Sequence, residues 1–287
     1  MIIEDVANGD LVGVVCLPEQ PEPLRGRVLV LGGSEGGVPR DEAVAVAEST
    51  GLACLGLAYF GAGHLPRKLV EIPLEYIVNA AHWLLRREPT TNPRIGLLGV
   101  SKGAELALLF AATFPEMVGA VVAYAPSSVV FPGIDRSRSG LMRSSWTFEG
   151  RPLPFVPYRG RPRVTLRGIQ VAPMYRSALA DHEAAKAAAI PVERIACPVL
   201  LVSGDDDQMW PSTMMAEAIA ERIRAHDGQL THLRYPDVGH QLLLPALGAK
   251  LPLLGRLADL GGKPNANRRA AQDAWPRVVN FLNEALA

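Results

Sequence analysis

Ser101 stands between two glycines in Gly99-Val100-Ser101-Lys102-Gly103, with the apolar run "RIGLL" before it and the helix-like run "AELALLFAATF" after it. A Gly-x-Ser-x-Gly turn from a buried strand into a helix lifts one hydroxyl clear of the sheet, and its tightness demands small residues on both sides. Such a hydroxyl is a candidate nucleophile for acyl transfer. The N–H of Lys102, at the start of the helix, then faces the place where a tetrahedral oxyanion forms, with the positive end of the helix dipole behind it. Serine needs a base and the base an orienting acid, which on this strand–turn–helix frame follow in the order serine, acid, histidine. After the run "PVLLVSG" come Asp205, Asp206 and Asp207, and after a further strand comes His240 in "YPDVGHQLLLP". Asp207, three residues past Gly204, is the expected acid and Asp206 the alternative, the remaining carboxylates then serving as turn or cap residues. His240 is the expected base, accepting the Ser101 proton on one ring nitrogen while the other donates to the aspartate. A second oxyanion donor is expected in the loop "GGSEGG" of residues 32–37, from the N–H of Ser34 or of Glu35.

Competing readings of these residues are weaker. Lys102 precedes its glycine, so the stretch is no P-loop, and "GGSEGG" does not spell the dinucleotide pattern Gly-x-Gly-x-x-Gly. Among the other histidines, His82 lies in an amphipathic helical pattern and His226 and His232 flank a turn. His182 lacks the second histidine of a zinc helix, and His64 precedes the serine in the chain.

The elements that must position these groups follow from hydrophobic periodicity. Strands are expected at "LVGVVCLP", "GRVLVLGG", "LACLGLAYF", "RIGLLGV", "GAVVAYAP", "CPVLLVSG" and "THLRYPDVG". Helices are expected at "DEAVAVAEST", "PLEYIVNAAHWLLRRE", "KGAELALLFAATF", "TMMAEAIAERIRAH" and "NRRAAQDAWPRVVNFLNEAL". Strand runs that are apolar without alternation imply cover on both faces, hence an α/β protein with a mostly parallel, doubly wound sheet. Residues 127–190 break the alternation, are rich in Pro, Arg and Gly, and end in an alanine-rich helix. They are expected to form an insertion over the carboxyl ends of the strands.

Lysine plus arginine and aspartate plus glutamate both number 29, so there is no global field favouring nucleic acid or an anionic membrane. Cys16, Cys54 and Cys197 sit far apart in apolar runs, as buried reduced thiols do, and no metal-ligand spacing is present. The amino terminus lacks a signal-peptide pattern and no apolar stretch reaches the length of a membrane span, so a cytoplasmic location is expected.

Longer segments resemble one family. "GGSEGG", "LGLAYFGAGHLP", "GVSKGAELAL", "SSWTFEGRPLPFVP", "IPVERIACPVLLVSGDDDQMWPS", "YPDVGHQLLLP" and "GGKPNANRRAAQDAWPRVVNFLNEAL" are similar to the carboxyl-terminal catalytic domain of the acyl-CoA thioesterases and bile acid-CoA:amino acid N-acyltransferases. The resemblance covers nearly the whole chain. It implies an α/β-hydrolase fold with Ser101 as nucleophile, Asp207 as acid and His240 as base. It also implies a small-molecule acyl thioester substrate, with coenzyme A as part of that substrate and no further cofactor. Animal members carry a β-sandwich domain first, whereas only residues 1–26 precede Arg27, so a single domain over 1–287 is expected. The bile-acid-conjugating members use a cysteine, and serine in its place favours hydrolysis over transfer to an amine. Transfer to an amine, action on oxygen esters or lactones, and a catalytically silent binding module remain as alternatives. Trp146, Phe148 and Trp210 are the candidates to line the acyl site, with Phe155 and Tyr158 as further aromatic candidates; Trp146, Phe148, Phe155 and Tyr158 either do so or merely pack the insertion down. Arg136, Arg138, Arg143, Arg159, Arg161 and Arg163 either pair coenzyme A phosphates or form a solvated loop, the second being favoured.

Overall fold

In the computed structural model, which describes residues 1–19, 26–87, 92–135, 141–240 and 258–287, the apolar runs become strands of one eight-stranded sheet. In chain order they are β1 (Ile2–Asn8), β2 (Leu11–Leu17), β3 (Arg27–Leu31), β4 (Ala53–Ala58), β5 (Ile95–Val100), β6 (Val118–Tyr124), β7 (Val199–Gly204) and β8 (Leu230–Tyr235). Across the sheet the order is β1-β2-β4-β3-β5-β6-β7-β8. The β1–β2 and β2–β4 pairs are antiparallel, and all pairs from β4 onward are parallel. The helices are α1 (Arg40–Thr50), α2 (Leu74–Arg87), α3 (Lys102–Thr113), α4 (Ala172–Leu179), α5 (His182–Ala187), α6 (Ser212–Arg224) and α7 (Pro264–Ala285).

The pleat explains the unbroken apolar runs. In β3, Val28 and Val30 pack with Val46 of α1 and Val278 and Leu282 of α7. Leu29 and Leu31 point the other way, into the cluster of Ile77 from α2 and Leu106 and Phe110 from α3. Both faces are covered, so all residues of β3 are buried. The doubly wound α/β fold is therefore as expected. β1 was not anticipated, because it is an edge strand whose side chains, apart from Val6, lie exposed and carry no burial signal. No described helix is long and apolar enough to cross a membrane.

Between β6 and β7 the chain forms the expected insertion. It holds α4, α5 with Asp181 accepting from the Ala184 N–H, and a hairpin of Arg163–Thr165 with Gly168–Gln170. The segment Trp146–Phe148 pairs with Ile72–Pro73 and with Arg151–Pro152. Val129, Phe131, Val156 and Tyr175 give the insertion a core of its own, shared with Trp210. Because β5, β7 and β8 run parallel, the loops that follow them emerge at one edge of the sheet, beneath this insertion.

Candidate active site

Ser101 links β5 to α3 with φ 55° and ψ −116°, a conformation that costs a non-glycine residue about 1–3 kcal/mol. Its surroundings hold it there. The Ser101 N–H donates to the Tyr124 carbonyl at 2.9 Å, while the N–H groups of Ala104 and Glu105 donate to the Ser101 carbonyl. A Cβ at Gly99 would lie 2.2 Å from the Gly103 oxygen, and one at Gly103 would lie 2.2 Å from the Leu31 oxygen. Both glycines are thus dictated by close approach.

The other two groups meet the serine. Asp207 is almost fully buried; its Oδ1 accepts from the N–H of Met209 and of Trp210, and its Oδ2 accepts from His240 Nδ1 at 2.9 Å. With its proton on Nδ1, His240 presents Nε2 as the acceptor, and the Ser101 hydroxyl donates to it at 3.0 Å. Asp206 does something else. It accepts from Gln208 at 2.6 Å and from the Gly262 N–H at 2.8 Å, tying the turn after β7 to the segment just before α7. Asp205 pairs with Arg234 on the surface. The His240 backbone N–H donates to the Leu260 carbonyl at 2.7 Å, and the Trp210 ring meets the imidazole edge-on at 5.8 Å.

The loop after β3 lies against Ser101. A Cβ at Gly33 would stand 3.4 Å from the Ser101 Cβ and 2.7 Å from Glu35 Oε2, because the Glu35 carboxylate folds back over the glycine pair. Glu35 Oε1 accepts from the Gly33 N–H at 2.6 Å. The Tyr59 hydroxyl donates to the Gly32 carbonyl at 2.6 Å, with Gly33 as a longer second acceptor. Burial pushes that phenol well above its ordinary value, so it remains a donor. Lys102, as the first residue of α3, has an N–H with no intrahelical acceptor.

Residues 72–287 match the family described as BAAT / Acyl-CoA thioester hydrolase C terminal. The chain belongs to this family. It is 31% identical to human acyl-coenzyme A thioesterase 1, over 99% of this chain and 65% of that protein. It is likewise 31% identical to human acyl-coenzyme A thioesterase 2, mitochondrial, over 99% of this chain and 57% of that one. The chain thus spans less than two thirds of these relatives' length. Among solved structures, the fold is shared with a putative dienelactone hydrolase from Klebsiella pneumoniae, with TM-score 0.55 and 15% identity over 94% of this chain and 91% of that one. Est1E from Butyrivibrio proteoclasticus shares it too, with TM-score 0.56 and 16% identity over 99% and 98%.

In this family member the aromatic residues expected around the acyl site are placed differently. Trp146 is 0% exposed and its indole N–H donates to Glu105 at 2.8 Å. Trp210 is 1% exposed and its indole N–H donates to the Ala125 carbonyl at 3.2 Å. Both rings are buried, with their indole N–H groups spent on protein acceptors. Phe148 packs edge-on against Phe114, the residue that follows α3 at the end opposite Ser101, at 5.6 Å. Phe155 packs against the main core, and Tyr158 stacks on Phe131 within the insertion. Of the arginines, Arg143 pairs with Glu71 and Arg159 with Asp181, while Arg161 and Arg163 are solvent-exposed. Arg136 and Arg138 lie outside the described residues. Tyr59, Glu105 and Phe131 are the site's structural partners that sequence reasoning missed, and Glu35 enters through its side chain, which accepts from the Gly33 N–H.

Proposed function

We propose that this chain is a serine hydrolase that cleaves acyl-CoA thioesters to free acid and coenzyme A. The observation that carries this reading is the unbroken hydrogen-bond line from Asp207 through His240 to a strained Ser101, in a member of a thioester hydrolase family. Ser101 Oγ attacks the thioester carbonyl while its proton passes to His240 Nε2, and Asp207 stabilises the imidazolium. The N–H groups of Lys102 and of Ser34 or Glu35 hold the oxyanion, in a loop braced by the Tyr59 and Glu35 side-chain contacts to the glycine pair. The C–S bond then breaks and His240 returns the proton to the departing sulfur. Water repeats the sequence on the acyl-enzyme, giving its proton to His240 and releasing the acid as Ser101 regains its hydrogen. No cofactor takes part. Three free, buried cysteines suit a reducing compartment, and a cytoplasmic setting belongs to this proposal.

The test is thiol release from short, long, branched and aromatic acyl-CoA thioesters by the wild type and by Ser101→Ala, with and without glycine or taurine. Release by the wild type alone, with free acid as product whatever amine is present, is the expected result. Amide products would move the reading to acyl transfer, and undiminished release by Ser101→Ala would remove the serine from the mechanism.

A further inference from the structure

Directly beneath the nucleophile lies an ion pair that the cycle above does not use. Lys102 Nζ donates to Glu105 Oε1 at 2.7 Å, with the two side chains 2% and 0% exposed. Taking two charges out of water is costly, and well-packed neutral side chains of similar size serve stability as well or better. Burial pushes the Glu105 carboxyl up and pulls the Lys102 ammonium down, against their mutual attraction and the N–H donors around them.

The partners of the pair indicate its use. The Glu105 carboxylate accepts from the Trp146 indole at 2.8 Å and from the Phe131 N–H at 3.4 Å, and Lys102 Nζ donates to the Phe131 carbonyl at 3.3 Å. Trp146 and Phe131 belong to the insertion, whereas Lys102 and Glu105 form the first turn of α3. The Glu105 backbone N–H also donates to the Ser101 carbonyl at 3.0 Å, so a shift of Glu105 displaces the serine itself. On its other side the Phe131 ring meets Trp210 at 6.1 Å, and Trp210 abuts His240.

We propose that Lys102 and Glu105 are positioning residues: through Phe131 they make the geometry of Ser101 and His240 conditional on the insertion being seated. This rests on the triad reading above. The insertion is then a working part of the active site, in addition to whatever it contributes to substrate contact.

The test compares the wild type, Lys102→Met/Glu105→Gln and Phe131→Leu by thermal melting, by steady-state thiol release and by the rate at which a fluorophosphonate labels Ser101. The double variant keeps an amide oxygen for the Trp146 and Phe131 N–H groups, and the Phe131 carbonyl keeps the Ser145 hydroxyl at 2.9 Å. It is expected to melt within about 5 °C of the wild type, because no charge is left unpaired. Both variants are expected to lose about 10- to 100-fold in kcat and in labelling rate, with KM within about twofold. A folded double variant with wild-type kcat and labelling would overturn the proposal, and Phe131→Leu with both rates unchanged would do the same if the double variant fails to fold. Absence of labelling in the wild type is a different failure, that of the triad reading itself.

Discussion

Ser101 and Ser203 each hydrogen-bond the Nε2 of a histidine, at 3.0 Å to His240 and at 2.7 Å to His232. The shorter contact belongs to the pair outside the proposed triad. Ser203 lies inside strand β7, fully buried, and its oxygen also accepts from the Thr213 hydroxyl at 3.0 Å. Among the described residues no carboxylate is hydrogen-bonded to the second nitrogen of His232, and no helix begins at Ser203. Ser101 has a carboxylate behind its base, a helix N-terminus beginning at the next residue, and a strained turn that projects it from the end of a strand. Proximity of serine and histidine is therefore common to both pairs. What sets the Ser101 pair apart is the third group, the helix N-terminus and the turn.

The largest expected effect separates the two serines. Ser101→Ala should cost on the order of 10⁶ in kcat, whereas Ser203→Ala should leave kcat within about twofold, both measured by thiol release. Next comes the acid: Asp207→Asn should lose about 10⁴-fold by leaving the imidazole in the wrong tautomer. Asp206→Asn, which loosens a loop contact without touching the histidine, should lose about tenfold or less on the same assay. Tyr59→Phe frees the Gly32 carbonyl and, with the loop it braces in the proposed oxyanion role, should lower kcat about tenfold with KM little changed.

The smallest effect is on stability. Burial holds His232 below its ordinary value, so it is neutral in the fold at a pH where the unfolded chain takes up a proton. The resulting stability is fully present above about pH 6.5, the unfolded value, and is lost as pH falls from there through the lowered folded value. His232→Asn should therefore flatten the acid side of a stability–pH curve from urea unfolding while leaving thiol release unchanged. An unchanged acid slope would remove His232 from the account.

The difference between the two serines was legible in sequence for physical reasons. Gly99 and Gly103 announce a turn too tight for any side chain, and the acid and the histidine each follow an apolar strand run, so a parallel sheet brings all three to one edge. Among three consecutive aspartates the offset from Gly204 favours Asp207 with Asp206 as the alternative, and the hydrogen bonds put Asp207 on the imidazole and Asp206 on the Gly262 N–H. Glu105, Tyr59 and Phe131 left no trace because they act on backbone atoms or on residues 26 and 27 positions away, which periodicity cannot report. Phe148 shows the converse: an aromatic residue in an insertion signals burial, and says nothing about which end of a helix it is buried against. β1 escaped because an exposed edge strand has polar residues on both faces.

The most direct measurement is a rapid acid quench of the protein with an acyl-CoA, followed by peptide mapping of the acyl group. The account predicts one acyl group on the peptide containing Ser101, formed together with the first equivalent of free thiol, and none on the peptide containing Ser203. Thiol released at the same rate with no acylated protein, or from Ser101→Ala, would contradict it.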